Sequence, residues 1–227
     1  GFLHDRDSEE EALAAARLAG VEPPAEILDA PTGFGRHAIP LATHGFRVTG
    51  LDRSPIQLAE ARSASEAEWP RWVQGDLRAL PFDDSSYDAV LCLFTSIGYR
   101  GEDGDRAAFG QFLRVLRPGR ALVVETLHRD RLMAIFNERS WDPVGDDVLR
   151  LEERRFDYVR GEVEIDLVRF AGGERRGVRY RLRVYTATEL VRLLAEVGFA
   201  EIECFGDFDR APLSRETRLV VSARKPS

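Results

Sequence analysis

Five short apolar runs, alternating with segments of helical period, constrain this chain more than any other feature. AEILDA (25–30), RVTGLD (47–52), RWVQGD (71–76), YDAVLCLF (87–94) and ALVVETL (121–127) read as strands, and four of them end at or beside an acid. Strands alternating with helices predict an α/β fold built on a parallel sheet. The helices carry local signals: Gly45 stops the first by taking a left-handed conformation, and Ser54 with Pro55 caps and opens a second that runs to Ala67. A third, from about Asp105 to Leu116, ends at Arg117-Pro118-Gly119. The rhythm breaks at residues 147–186, where VLRLEERRFDY, EVEIDLVRF and GVRYRLRVY alternate between turns at Arg160-Gly161 and Ala171-Gly172-Gly173. These predict an inserted antiparallel sheet of about three strands. Thr186-Ala187-Thr188-Glu189 is a capping box for a helix ending near Gly198, and AEIECFGDF and RLVVSARK close the chain as an antiparallel edge pair. The expectation is a seven-stranded domain of residues 1–146 and 187–227, interrupted by a β subdomain at 147–186.

With 227 residues the chain suits one such domain with its insertion. A net charge of -7 provides no global field for nucleic acid, so small neutral or cationic partners are expected and nucleic acid is not. The insertion holds many arginines, Arg154, Arg155, Arg175, Arg176, Arg179, Arg181 and Arg183. Glu152, Glu153, Asp157, Glu162, Glu164, Asp166 and Glu174 interleave with them, which predicts paired charges on a solvated face. Lys225 is the only lysine, leaving little room for Schiff-base chemistry. Cys92 and Cys204 lie in apolar runs and are expected as unoxidised thiols. No run approaches the roughly 20 apolar residues that cross a bilayer. The expectations are therefore no membrane partner and a cytoplasmic location.

The loop after the first strand, Asp29-Ala30-Pro31-Thr32-Gly33-Phe34-Gly35-Arg36-His37-Ala38, holds a Gly-x-Gly-x-x-Ala element at a helix start, where glycine lets backbone amides approach a ligand. Asp52 ends the second strand 17 residues after Gly35, and Asp76 ends the third. Parallel strand ends share one edge, so Asp29, Asp52 and Asp76 are expected along one crevice. Three carboxylates there suit a donor-rich ligand carrying an ammonium, a ribose diol and an adenine amine. A pyrophosphate fits poorly.

Residues 25–127 resemble the class I S-adenosylmethionine-dependent methyltransferases, and the likeness continues more loosely to the C-terminus. The family's acid and glycine loop is represented by Asp29, Gly33 and Gly35, with Pro31 where its first glycine is usual. FDDSSYDAVLCLFTSIGY (82–99) is similar to the family's fourth-strand segment, and LRPGRALVVE (116–125) to its Leu-x-Pro-Gly-Gly turn, with Arg120 for the second glycine. The resemblance implies a Rossmann-like fold with helices on both faces of its sheet. It also implies cofactor contacts from Asp29, Ala30, Gly33, Gly35, Asp52, Arg53, Asp76, Leu77 and Leu93. Asp29 would orient the methionine end, Asp52 the ribose and Gly75-Asp76-Leu77 the adenine; the product is S-adenosylhomocysteine.

Methyl transfer from a sulfonium needs positioning and sometimes proton removal, and no metal; the four histidines lack zinc-ligand spacing. His128, just past the fifth strand, is the first candidate base or substrate partner, and Tyr99 the candidate pocket wall. His37, Tyr185 and Asp207 rank behind them. Thr95-Ser96-Ile97-Gly98 stands where base-amine methylating members carry an Asn-Pro-Pro-Tyr element, so the acceptor is expected to be a small molecule taking methyl on O or N. Insertions at this place in similar enzymes cover the site or pair subunits, which makes a homodimer through the insertion the oligomeric expectation. Two alternatives stay open. The Gly-x-Gly-x-x-Ala element also satisfies the fingerprint of an NAD(P)-dependent oxidoreductase, and a noncatalytic S-adenosylmethionine-binding module would need no base.

Overall fold

The computed structural model describes residues 8–65, 67–143, 148–172 and 174–227. Asp147, where the insertion was expected to begin, Gly173 of its second turn, and the first seven residues lie outside them. After α1 (Ser8–Ala19), β1 (Glu26–Asp29), α2 (Ala38–Thr43), β2 (Arg47–Asp52), α3 (Pro55–Ala64), β3 (Arg71–Gln74), β4 (Tyr87–Cys92), α4 (Gly101–Val115) and β5 (Leu116–Thr126) follow in turn. The short α5 (Arg129–Ala134) leads into β6 (Arg139–Pro143), β7 (Val148–Asp157), β8 (Glu162–Ala171) and β9 (Glu174–Arg183). Then α6 (Ala187–Val197), β10 (Ala200–Phe205) and β11 (Leu219–Arg224) return to the main sheet.

That sheet has the order β10-β11-β5-β4-β1-β2-β3, with every strand running the same way except β11, which is antiparallel to both of its neighbours. In its central strands the stretches 27–28, 89–92 and 121–124 are continuously apolar because both faces are covered there. Leu28, Val90, Cys92, Leu122 and Val124 face Phe109 and Phe112 of α4 and Leu190, Leu193 and Leu194 of α6. Their neighbours Ile27, Ala89, Leu91 and Val123 face α1 and α2. Ala12, Ala15, Ala16 and Ala19 give α1 a stripe of small residues at helical spacing, and all four are buried. The expected caps form: the Ser54 hydroxyl accepts from the Gln57 amide, Thr186 and Glu189 make the reciprocal capping box, and Gly198 is left-handed at φ +115°. Both cysteines are free, and among the described residues no helix is long and apolar enough to cross a membrane.

The chain order reverses around β1, whose neighbours are β4 on one side and β2 on the other. A crevice opens at such a point beyond the carboxyl ends of the strands, where the loops leave in opposite directions.

The inserted sheet differs from expectation in size. It has four strands, β6-β7-β8-β9, because Arg139–Pro143 pairs with β7. That segment is short and ends in proline, so it carries no alternation by which an edge strand is recognised. One face buries Val163, Ile165 and Leu182 against Leu132 and Val184. On the other, the interleaved charges pair across strands: Arg181 and Arg155 lie 2.8 and 3.5 Å from Glu164, and Arg179 meets Asp166. Three further boundaries move: the helix opened by Ser54 and Pro55 ends at Ala64 and not at Ala67. The third helix starts at Gly101, and β5 takes in the Arg117-Pro118-Gly119 stretch, with Gly119 at φ +73°.

Candidate active site

Asp29 closes β1 almost without exposure, at 1%. The Thr32 hydroxyl donates to its Oδ2 at 2.6 Å. Burial pushes this carboxyl up to about 6, against the opposing pull of His37 and the Thr32 bond. Beyond it the chain turns through Gly33 and Gly35 at φ +58° and +86°, a region that L side chains rarely adopt. The indole of Trp72 lies so close that a Cβ on Gly35 would sit 2.6 Å from Cη2, and one on Gly50 2.6 Å from Cζ3. The loop is tied to the next strand end, since the Gly33 amide donates to Asp52 Oδ2 at 2.9 Å while Oδ1 accepts from the Ser54 amide at 2.8 Å.

Asp76 is held differently. Arg78 grips both of its oxygens at 2.9 and 2.7 Å, and that hydrogen-bonded pairing lowers the carboxyl to about 2. The pair is partly exposed, so a ligand can compete for it at small cost.

Opposite the glycine loop, Phe94 and Thr95 leave β4 with φ of +64° and +53°. Two consecutive non-glycine residues in this region store strain, and Glu125 holds them. Its Oε2 accepts from the Phe94 amide at 2.7 Å and its carbonyl from the Thr95 amide at 3.1 Å. Glu125 belongs to a buried ionic cluster: Glu11 of α1 bonds Arg36, approaches His37 at 3.5 Å and accepts from Arg218 at 2.9 Å. Burial alone would raise Glu11, but His37, Arg218 and Arg36 outweigh it and hold the carboxyl at about 2. The Arg36 guanidinium stacks 4.5 Å above the Phe94 ring.

Farther along, Gly98 takes φ +94° and is stitched to the inserted sheet, its carbonyl accepting from the Arg183 amide at 3.0 Å. Its own amide donates to Asp105, which also accepts from the Tyr185 hydroxyl at 2.7 Å. The next residue, Tyr99, meets Tyr180 of β9 with ring centroids 6.0 Å apart.

These parts enclose a cavity of about 710 Å³ at the carboxyl ends of β1, β2 and β4. Gly33, Asp52, Arg53, Asp76, Leu77, Leu93 and Tyr99 line it, as does His37. Asp29, Ala30 and Gly35 are buried and do not line it, so of the three acids expected along the crevice only Asp52 and Asp76 reach it. His128 is not in the wall: the chain turns at once into α5, leaving the histidine as its N-cap and 3% exposed. Its Nδ1 has no hydrogen-bond partner among the described residues, and its Nε2 lies 3.5 Å from Asp130. Asp207 pairs with Arg218 at 3.3 Å, and Tyr185 reaches the cavity only through Asp105.

Sequence reasoning missed Asp105 and Tyr180. The signal for Asp105 was available, because it shares the helical spacing of Ala108, Phe109 and Phe112 and so puts a carboxylate on the apolar stripe of α4. Nothing local marks Tyr180, one of several aromatic and charged residues alternating along β9. No group of three or more His, Cys, Asp and Glu suited to a metal occurs among the described residues.

Residues 27–119 match a family model described as a methyltransferase domain. Among known proteins, the chain is 31% identical to the glycine/sarcosine N-methyltransferase of Parasynechococcus marenigrum, over 81% of this chain and 66% of that protein. It is 30% identical to that of Halorhodospira halochloris, over 80% and 68%. The chain thus spans about two thirds of the length of these relatives. Among solved structures it resembles the CcbJ methyltransferase from Streptomyces caelestis, with 25% identity, a TM-score of 0.85 and coverage of 97% of this chain and 90% of that one.

Proposed function

The chain belongs to the class I S-adenosylmethionine-dependent methyltransferases, and from that premise we propose that it methylates an oxygen or nitrogen atom of a small molecule held between the loop after β4 and the inserted sheet. The observation that carries this reading is the two-sided cavity. Strand-end acids and the glycine loop form one side, Tyr99 and Tyr180 the other, and about 710 Å³ is within the range of small-molecule sites.

The first side suits the cofactor on its own geometry. Gly33 and Gly35 present backbone where a side chain would intrude, a Cβ on Gly33 falling 3.1 Å from Gln57 Oε1. Each Asp52 oxygen keeps lone-pair capacity beyond its one backbone bond, enough for a ribose diol. Asp76 with Leu77 would hold the adenine, Arg53 and Leu93 its flanks, and buried Asp29 with Ala30 would underlie the methionine end. Bound there, S-adenosylmethionine supplies an electrophilic methyl group on a sulfonium. The protein's part is to orient the acceptor and exclude water. Tyr99 serves this from the cavity wall, whereas His128 would have to act from outside it. We read the four-stranded sheet as a subdomain inserted into the cofactor domain, which supplies the acceptor wall.

The test is thermal denaturation with S-adenosylmethionine, S-adenosylhomocysteine, NAD and NADP. A ligand at about 100 times its Kd adds roughly 2.7 kcal/mol, equivalent to about 5–10 °C for a chain of this size. Stabilisation by the two adenosyl compounds alone is expected; a shift only with NAD or NADP would move the chemistry to hydride transfer.

A further inference from the structure

Asp105 stands on the buried stripe of α4 with 4% exposure, where an unpaired charge is costly. Its bonds leave it capacity. The Gly98 amide reaches both oxygens, at 3.0 and 2.9 Å, and the Tyr185 hydroxyl reaches Oδ2 at 2.7 Å, whereas a carboxylate offers about four lone-pair sites. The residue also borders the cavity, beside Tyr99 and Tyr180. Those rings are tilted by 37° to one another, one on the loop after β4 and one on β9. Aromatic faces attract cations, and a carboxylate on the same wall adds to that attraction. Arg100 and Arg181 line the same cavity, Arg181 with its charge paired to Glu164 at 2.8 Å, and against them the Asp105 carboxylate and the two ring faces are what this end offers a positively charged guest.

We infer that Asp105 is a catalytic residue that binds the acceptor's nitrogen, accepting a hydrogen bond from a small primary or secondary amine that enters as its ammonium ion and taking one proton from it. The inference rests on the methyl-transfer reading above and narrows it from oxygen or nitrogen to nitrogen. The proton passes from nitrogen to a carboxylate oxygen, freeing the nitrogen lone pair. That pair forms the new C–N bond as the bond from carbon to sulfur breaks, its electrons staying on sulfur. The methylated nitrogen carries the positive charge, and the Asp105 proton leaves to solvent. Burial raises the Asp105 carboxyl above its ordinary value, opposed by Tyr185, the Gly98 amide and Arg183. Glu102 raises it further, and Cys92 faces it from β4. A carboxyl displaced upward suits proton uptake better than an ordinary one.

The test is calorimetric titration of the S-adenosylhomocysteine-loaded protein with sarcosine and glucosamine, beside their oxygen isosteres methoxyacetate and glucose, from pH 5 to 9. Wild type is expected to bind at least one amine and neither isostere. Asp105→Asn should weaken that binding at least tenfold while S-adenosylhomocysteine affinity stays within threefold. Tyr185→Phe covers the case in which the asparagine variant does not fold. Loss of its donated bond disfavours the charged carboxylate, so the acid limb of amine binding should move to higher pH, which a purely structural role would not cause. Failure of both amines to bind loaded wild type, equal binding of the isosteres, or an unmoved acid limb in Tyr185→Phe overturns the inference and leaves the cofactor reading standing. Failure of wild type to bind S-adenosylhomocysteine overturns both.

Discussion

A single carboxyl sets a measurable pH dependence. Burial penalises the charge of Asp29 and pushes its carboxyl up to about 6 in the fold, well above the ordinary carboxylate range of the unfolded chain. The unfolded chain therefore ionises first, so the group's stabilising contribution is full below about pH 4 and is lost as pH rises through 6. A shift of this size corresponds to something on the order of 3 kcal/mol. Asp29→Asn should accordingly lose less stability than wild type between pH 4.5 and 7.5 in urea melts; parallel curves would mean that the charge is compensated. At Gly35 the governing quantities are geometric. Alanine there would take a positive φ costing roughly 1–2 kcal/mol and press on Trp72. At least a tenfold weaker hold on S-adenosylhomocysteine is expected by calorimetry, and unchanged affinity would remove the loop from the cofactor side. The value of these residues lies in their neighbours: an Asp after a strand is legible in sequence, but its protonation depends on Thr32, His37 and the surrounding burial.

Between elements, the important seam joins the loop after β4 to the end of β9. A Cβ on Gly98 would fall 2.2 Å from the Arg183 carbonyl oxygen, which is backbone and cannot swing away. Gly98→Ala should therefore part Tyr99 from Tyr180 and lower methyl transfer far more than cofactor binding, a contrast visible in kcat/KM for the acceptor against Kd for S-adenosylhomocysteine. Equal losses would show that the seam also shapes the cofactor side. The cap of α6 offers a quieter control. Thr186→Ala removes one half of the capping box and should cost about 1 kcal/mol, or roughly 2–4 °C in Tm, without altering affinity for the cofactor product.

Across the whole molecule, two cores support the two sides of one cavity: the main sheet with its helices carries the glycine loop and strand-end acids, and the small cluster of Val163, Ile165, Leu182 and Leu132 carries the acceptor wall. Ile165→Ala should cost about 2–4 kcal/mol and fall more heavily on transfer than on S-adenosylhomocysteine binding; a turnover assay beside a binding titration decides whether the two sides are separable. By itself the sequence determined the parallel sheet, its caps, the antiparallel edge pair and two acids at the cavity, Asp52 and Asp76, whereas Asp29 is buried away from the lining. Each of these is written in local terms: alternation, a capping residue, or the length of a run between turns. The fourth inserted strand was not legible, because Arg139–Pro143 is a strand only through its partner β7. Nor was the removal of His128 from the cavity, since the entry of the chain into α5 decides which way the residue after a strand faces. Asp105 was half legible as a carboxylate on an apolar stripe, but only packing brought Gly98 and Tyr185 to it from 7 and 80 residues away. Contacts over such separations depend on how the sheets and helices close on each other, a property of the assembled fold that no local stretch of chain encodes.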